Sequence, residues 1–234
     1  VYFFRKNDSL LHFVKPVFDR RVFLKTCTNG SSELMTNLSM SLVNALYNLQ
    51  LMKIAGENGV AAYGAVMYVN FIFVATFLGY AIGCAPVISY HYGAGNHAEL
   101  KNLYKKSMSI ILVWGVILFG AAQLLAPVLS KIFVGYNTGL YAMTLHGFRV
   151  YAIAFLIIGI NIFGSSFFTA LNNGLISAVI SFLRTLVFQV IMVLTLPLWF
   201  GINGIWSAIS IAEALTLIMT TTFFVRQKDK YHYL

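Results

Sequence analysis

VAAYGAVMYVNFIFVATFLGYAIGCAPVISY, residues 60–90, contains no Asp, Glu, Lys or Arg. A helix needs roughly 20 mostly apolar residues to cross the hydrocarbon layer of a bilayer, and this run is longer than that. Five more apolar runs of spanning length lie around it, at about 34–52, 107–130, 141–171, 174–200 and 202–225. The predicted fold is therefore an all-α integral membrane protein, a bundle of six transmembrane helices. The composition agrees. Of the 234 residues, 59% are hydrophobic and 10% are charged, whereas a soluble domain carries roughly 25% charged residues. An ordinary soluble enzyme, a disordered chain and a disulfide scaffold are excluded. The +9 formal charge does not mark a nucleic-acid partner, because the basic residues sit in short clusters between apolar runs.

The connections between runs are short and carry turn chemistry. They are Ala55–Gly59, Tyr92–Asn96, Gly135–Gly139, Asn172–Gly174 and Gly201–Gly204. The runs 60–90 and 141–171 exceed the bilayer thickness, so tilt, an extension beyond the lipid or a break must absorb the surplus. In the first of these, Gly79, Gly83 and Pro86 are expected to supply a break, since Pro86 removes a backbone donor.

Lys and Arg set the orientation. With a cytoplasmic N-terminus, the inside segments 1–30, 91–106, 172–174 and 226–234 hold twelve of the sixteen basic residues. The outside segments hold two, Lys53 and Lys131. Both termini are expected in the cytoplasm, with the chain in the plasma or inner membrane and the lipid bilayer as its first partner. Residue 1 is Val and no signal peptide precedes the first run. The expectation is a fragment, a processed piece or the second half of a split protein.

Charges inside the hydrocarbon layer cost at least ~2.5 kcal/mol each and are functional candidates by default. Only two of the seven acids qualify, Glu33 at the start of the first run and Glu213 midway along the sixth. At roughly 100° per residue, Glu33, Asn37, Ser41, Asn44 and Asn48 fall on one narrow stripe flanked by Tyr47. Met35, Leu42, Leu46 and Leu49 fill the opposite face. Such a stripe faces other helices or a water-filled cavity, as interhelical glue or as the wall of a transport pathway. Arg184 and Glu213 lie on the two arms of the last hairpin. They can form a structural ion pair, or Glu213 can take part in ion coupling. Asn161, Ser165 and Thr169 make a second stripe, Asn70 reads as an isolated helix–helix contact, and Arg149 as an end anchor. The five histidines show no metal-ligand spacing, and no phosphate-binding loop or GxSxG element occurs. No enzyme, metal or cofactor is expected.

Several runs in order resemble one family. They are Gly59-Val60-Ala61-Ala62-Tyr63-Gly64, Pro86-Val87-Ile88-Ser89-Tyr90-His91-Tyr92-Gly93-Ala94, Phe167-Phe168-Thr169-Ala170, and Gly201-Ile202-Asn203-Gly204-Ile205-Trp206 with Ile211-Ala212-Glu213. Together they resemble the second half of a MATE (multidrug and toxic compound extrusion) transporter, over about residues 20–225. The resemblance implies twelve helices in two six-helix lobes, with this chain supplying the seventh to twelfth and a missing N-terminal lobe as its partner. Residues 1–30 would be a cytoplasmic inter-lobe linker and helix entrance, 31–225 the lobe and 226–234 a cytoplasmic tail. It further implies a secondary active multidrug efflux antiporter that exchanges Na⁺ or H⁺ for small organic cations or drugs by alternating access. Acids of the seventh helix recur in that family, and Glu33 is the acid here. Glu33, Asn37, Ser41, Asn44, Tyr47, Asn48 and Asn161 are the expected ion- and substrate-binding residues. Arg184 and Glu213 are the expected structural or coupling charges. Two other readings stay open, a lipid or polysaccharide exporter of the same larger group and a non-transporting membrane scaffold.

Overall fold

A computed structural model describes residues 18–233, without the side chains of residues 29, 31–33, 35 and 36. Helices α1 (Arg20–Gly93), α2 (His97–Val134), α3 (Thr138–Tyr151), α4 (Phe155–Ala170), α5 (Gly174–Phe182), α6 (Gln189–Phe200) and α7 (Ile202–Tyr231) account for nearly all of them. A 3-10 turn, Ala152–Ala154, joins α3 to α4, and a wider π turn, Leu183–Phe188, joins α5 to α6. No strand occurs among the described residues. Five helical stretches are long and apolar enough to cross a membrane: Asn37–Gly93, His97–Val134, Thr138–Ala170, Gly174–Phe200 and Ile202–Tyr231. The chain is a multi-pass membrane protein.

The first stretch contains two crossings. Within α1 only Gly56 leaves helical geometry, at φ 62° and ψ −154°. The Tyr47 and Tyr63 rings stack at 4.9 Å, and the Tyr63 hydroxyl donates to Asn44 Oδ1 at 3.0 Å. In a straight helix, sixteen residues would set those rings about 24 Å apart. The arms 20–55 and 57–93 therefore fold back on each other at Gly56, so the first stretch supplies two helical arms and the bundle six. That backbone region is open essentially to glycine alone, and holding another residue there costs ~1–3 kcal/mol. Gly56→Ala should lower unfolding free energy by that amount, and thermal unfolding in detergent checks it.

One expectation, the break at Gly79, Gly83 and Pro86, needs correction, and three boundaries become more exact. The first helix begins at Arg20, before residue 34, so residues 20–30 are helical. Within the connection Ala55–Gly59 two helices meet, and the chain reverses at Gly56 alone. No break occurs at Gly79, Gly83 or Pro86, because the backbone from 57 to 93 stays helical and its surplus length runs on beyond one bilayer thickness. α7 continues to Tyr231, so the tail 226–234 is mostly helix.

Asparagine side chains start three of the helices. Asn96 accepts from Glu99 N at 3.1 Å, Asn137 from Leu140 N at 3.1 Å and Asn173 from Ile176 N at 3.3 Å. Each satisfies one amide that the first helical turn leaves without a partner. The span Thr138–Ala170 is the central post: 67% of its most apolar window is buried, against 17–39% in the other four. Outside it the bundle presents apolar side chains such as Leu124, Leu198 and Trp199, as a lipid-facing surface must.

One end of the bundle gathers the α1–α2 turn, the α4–α5 turn and the C-terminal residues. Asn173 Nδ2 donates to the Tyr231 hydroxyl at 2.9 Å, and the His97 and His232 rings lie 4.9 Å apart. Lys101, Lys105, Lys106, Arg226, Lys228 and Lys230 cluster towards that end, while the opposite turns have only Lys53 and Lys131 beside them.

Candidate functional site

The site is built on the only charged pair inside the described bundle. Arg184 sits in the π turn between α5 and α6, and Glu213 in the middle of α7. Arg184 Nε donates to Glu213 Oε1 at 2.8 Å and Oε2 at 3.1 Å. From α4, Asn161 Nδ2 donates to Glu213 Oε2 at 2.7 Å and to the Glu213 carbonyl at 3.0 Å. Counted from Gly201, the two charged residues differ in depth by about 8 Å at uniform α-helical rise. The length of the Arg side chain and the extra residues taken up by the wide π turn close that difference. Glu213 is 1% exposed and Arg184 14%. Taking both charges out of water is costly, and hydrogen bonds to both carboxylate oxygens offset much of that cost.

In front of the pair lies a cavity of about 240 Å³. Its wall is formed by both arms of α1, by α3–α4 and by the α5–α7 hairpin. The polar residues on it are Asn44, Tyr63, Asn70, Tyr151, Arg184, Thr185, Gln189 and Glu213. Phe71, Val74, Leu78 and Ile162 supply apolar surface. Asn70 Oδ1 is buried with no hydrogen-bond partner. Tyr47 is buried behind Tyr63, with its hydroxyl also unpartnered. An apolar pocket with a few convergent polar groups is the ordinary form of a small-molecule site.

The MatE family model matches residues 34–195. The chain belongs to the MatE family. Solved structures show the same fold. A MATE protein in complex with MaL6 superposes with a TM-score of 0.89 at 20% identity, covering 100% of this chain and 53% of that one. MATE in the bent conformation gives 0.88 at 20% identity, with 98% and 51% covered. A multidrug resistance MATE family transporter of the MOP superfamily, outward-facing, gives 0.84 at 20% identity, with 92% and 48% covered. Among curated proteins, none matches the chain in sequence. The chain spans about half the length of the solved structures it resembles.

The residues singled out from the sequence fall into three groups in this MatE chain. Asn44, Arg184 and Glu213 meet at the cavity, with Asn161 directly behind Glu213 and Tyr47 behind Tyr63. Asn37, Ser41 and Asn48 are exposed along one flank of the first α1 arm and do not reach the cavity wall. The side chain of Glu33 lies outside the described residues. The arm docks on the bundle through Ser39, Val43, Tyr47 and Leu51, each four residues after the last. At about 100° per residue, that docking face lies roughly a quarter-turn from the polar stripe, so the stripe stands on an open flank of this chain. The second stripe faces α5: Ser165 Oγ lies 2.9 Å from Ser177 Oγ and 2.8 Å from Ser181 Oγ, and Thr169 donates to Ser177 Oγ at 2.7 Å.

Five polar wall residues of the MatE cavity lie outside the residues that the sequence marks as site candidates: Tyr63, Asn70, Tyr151, Thr185 and Gln189. Tyr63 lies inside one of the family-like runs, and Asn70 belongs to the cavity and is not an isolated helix–helix contact. Their signal was present: Asn70 and Gln189 are uncharged polar residues deep in apolar runs. Arg149 is exposed, and its carbonyl accepts from Gln123 Nε2 at 3.0 Å.

Proposed function

We propose that the chain is one lobe of a secondary active efflux antiporter, exchanging Na⁺ or H⁺ for small drug-like molecules by alternating access against a second lobe. The observation that carries this reading is the cavity of about 240 Å³ closed at its back by a buried ion pair and edged by Asn44. Asn44 belongs to the same stripe as Asn37, Ser41 and Asn48, which stand exposed on the flank where a second lobe would close over it. Cargo occupies the cavity. Glu33 serves the coupling ion, because it heads that stripe and no basic residue follows it before Lys53. It stands eleven residues before Asn44, roughly 16 Å along the helix axis. Ion and cargo then have separate places and oppose each other by favouring different conformations of the two lobes. Glu213 and Arg184 hold the back wall. The basic end of the bundle faces the cytoplasm of a plasma or inner membrane, following the positive-inside rule.

The test is transport by the intact protein in lipid vesicles, with Na⁺ and pH gradients imposed separately. Glu33→Gln should leave the amount of folded protein unchanged and abolish gradient-driven drug movement. If Glu33→Gln transports at the normal rate while Glu213→Gln folds and fails to transport, the coupling acid is Glu213.

A further inference from the structure

Arg184 spends only part of its hydrogen-bonding capacity on Glu213. A guanidinium carries five N–H donors in a fixed fork. The one on Nε is shared between the two Glu213 oxygens. The four on the Nη groups bond to no described residue. Neither Nη is among the buried polar atoms left without a partner. The side chain keeps 14% exposure, and Arg184 is part of the cavity wall. The free end of the fork therefore belongs to the cavity. Glu213 is the reverse case. It is the only acid among the described wall residues, it is 1% exposed, and both its oxygens are engaged by Arg184 and Asn161. Among the described wall residues a cation meets no free carboxylate, whereas an anion meets the open side of a guanidinium.

The local fold keeps Arg184 in that pose. The π turn spans Leu183–Phe188, and both Arg184 and Thr185 line the cavity from it. Such wide turns re-aim side chains that a regular helix would place elsewhere and recur at functional sites. Glu213 holds Nε through both carboxylate oxygens, which fixes where the planar fork sits on the wall. A planar fork with two adjacent donors suits a carboxylate or a phosphate oxygen pair. Gln189 and Asn44 add amide groups on the same wall, and Phe71 and Val74 provide apolar surface.

The geometry points to a cargo that carries an acidic oxygen group, bound by the two Nη groups of Arg184, with an apolar body laid along Phe71 and Val74. This rests on reading the cavity as the transport site. It makes Arg184 the residue that selects cargo by charge, with Glu213 and Asn161 as positioning residues behind it.

Three probes of one shape test it: 2-naphthoate, the neutral 2-naphthamide and the cationic 2-naphthylmethylammonium. Binding to the intact protein in lipid nanodiscs at pH 7 is followed by naphthalene fluorescence. The naphthoate should bind at least about tenfold more tightly than the ammonium, the scale of one charge-assisted hydrogen bond. Arg184→Lys keeps a cation beside Glu213 but loses the fork. It should fold, weaken naphthoate by about tenfold and leave naphthamide within about twofold. A double variant, Arg184→Met with Glu213→Met, removes the charge pair and should abolish the preference among the three probes. Equal affinity of the three probes for the unaltered protein, or an unchanged naphthoate-to-ammonium ratio in Arg184→Lys, overturns the inference while the cavity reading stands. Absence of binding by any probe, or binding that survives filling the cavity with Ala75→Trp, overturns the cavity reading and the inference with it.

Discussion

Glu213→Leu should lower the unfolding free energy by about 3–5 kcal/mol, the usual cost of removing one member of a buried ion pair. The reason lies in what stays behind. Arg184 would keep its charge in the bundle with no carboxylate within reach. Asn161, fully buried, would lose its 2.7 Å bond to Glu213 Oε2, and its own Oδ1 already lacks a partner. The double variant Arg184→Leu with Glu213→Leu should recover most of the loss, because apolar side chains of similar volume carry no desolvation cost. Thermal unfolding in detergent, with retained helical circular dichroism as a control, reads both. If the single and double variants are equally unstable, the loss comes from packing volume and not from the orphaned charge.

Tyr233→Ala should cost a similar amount, about 3–5 kcal/mol, the range for deleting a large aromatic side chain from a packed core. Tyr233 lies two residues past α7, after His232 turns the chain at φ 54°. It is fully buried. Its ring centroid stands 5.0 Å from Phe167, 5.2 Å from Tyr104 and 6.2 Å from Phe224, and its hydroxyl donates to the Phe224 carbonyl at 2.9 Å. The side chain thus pins α2, α4 and α7 together at the basic end of the bundle. Tyr233→Phe keeps the ring and loses one neutral hydrogen bond, so it should cost about 1 kcal/mol. Burial pushes the Tyr233 phenol up, with Tyr104 and Tyr231 adding to it. The protonated phenol is the donor. Its contribution is therefore present in full below the ordinary tyrosine value of about 10 and is lost as pH rises above it. The Tyr233→Ala deficit should be flat between about pH 6 and 9 and shrink only in more alkaline solution. A deficit that changes steadily across that neutral range would mean that another group carries the contact.

Much of the architecture was legible because it is written locally. Whether residues 60–90 cross a bilayer depends on their own hydropathy and on the rise per residue. The turns holding Asn96, Asn137 and Asn173 are legible for the same reason, and the structure shows each of these side chains capping the helix that follows within three residues. Arg184 and Glu213 stood out for the same kind of reason, since a charge in an apolar run needs a partner wherever it ends up. The loop that holds the reversal at Gly56 is legible but its sharpness is not, because a single positive-φ glycine between two helices leaves no compositional trace beyond the glycine itself.

What the chain determined by itself was depth: how many times it crosses, where the charged pair lies along its helices and which end of the bundle is basic. Only the tertiary structure decided direction around each helix axis. It turned Ser39, Val43, Tyr47 and Leu51 inward and left Asn37, Ser41 and Asn48 on an open flank. It also brought Asn70 and Gln189 to the same cavity as Arg184. The physical reason is that a helix's own hydrogen bonds and hydropathy set its length and position across the membrane. Its rotation is set by side-chain packing against helices far away in sequence, and with lipid as apolar as most of those side chains, no stripe on one helix alone specifies which face is buried.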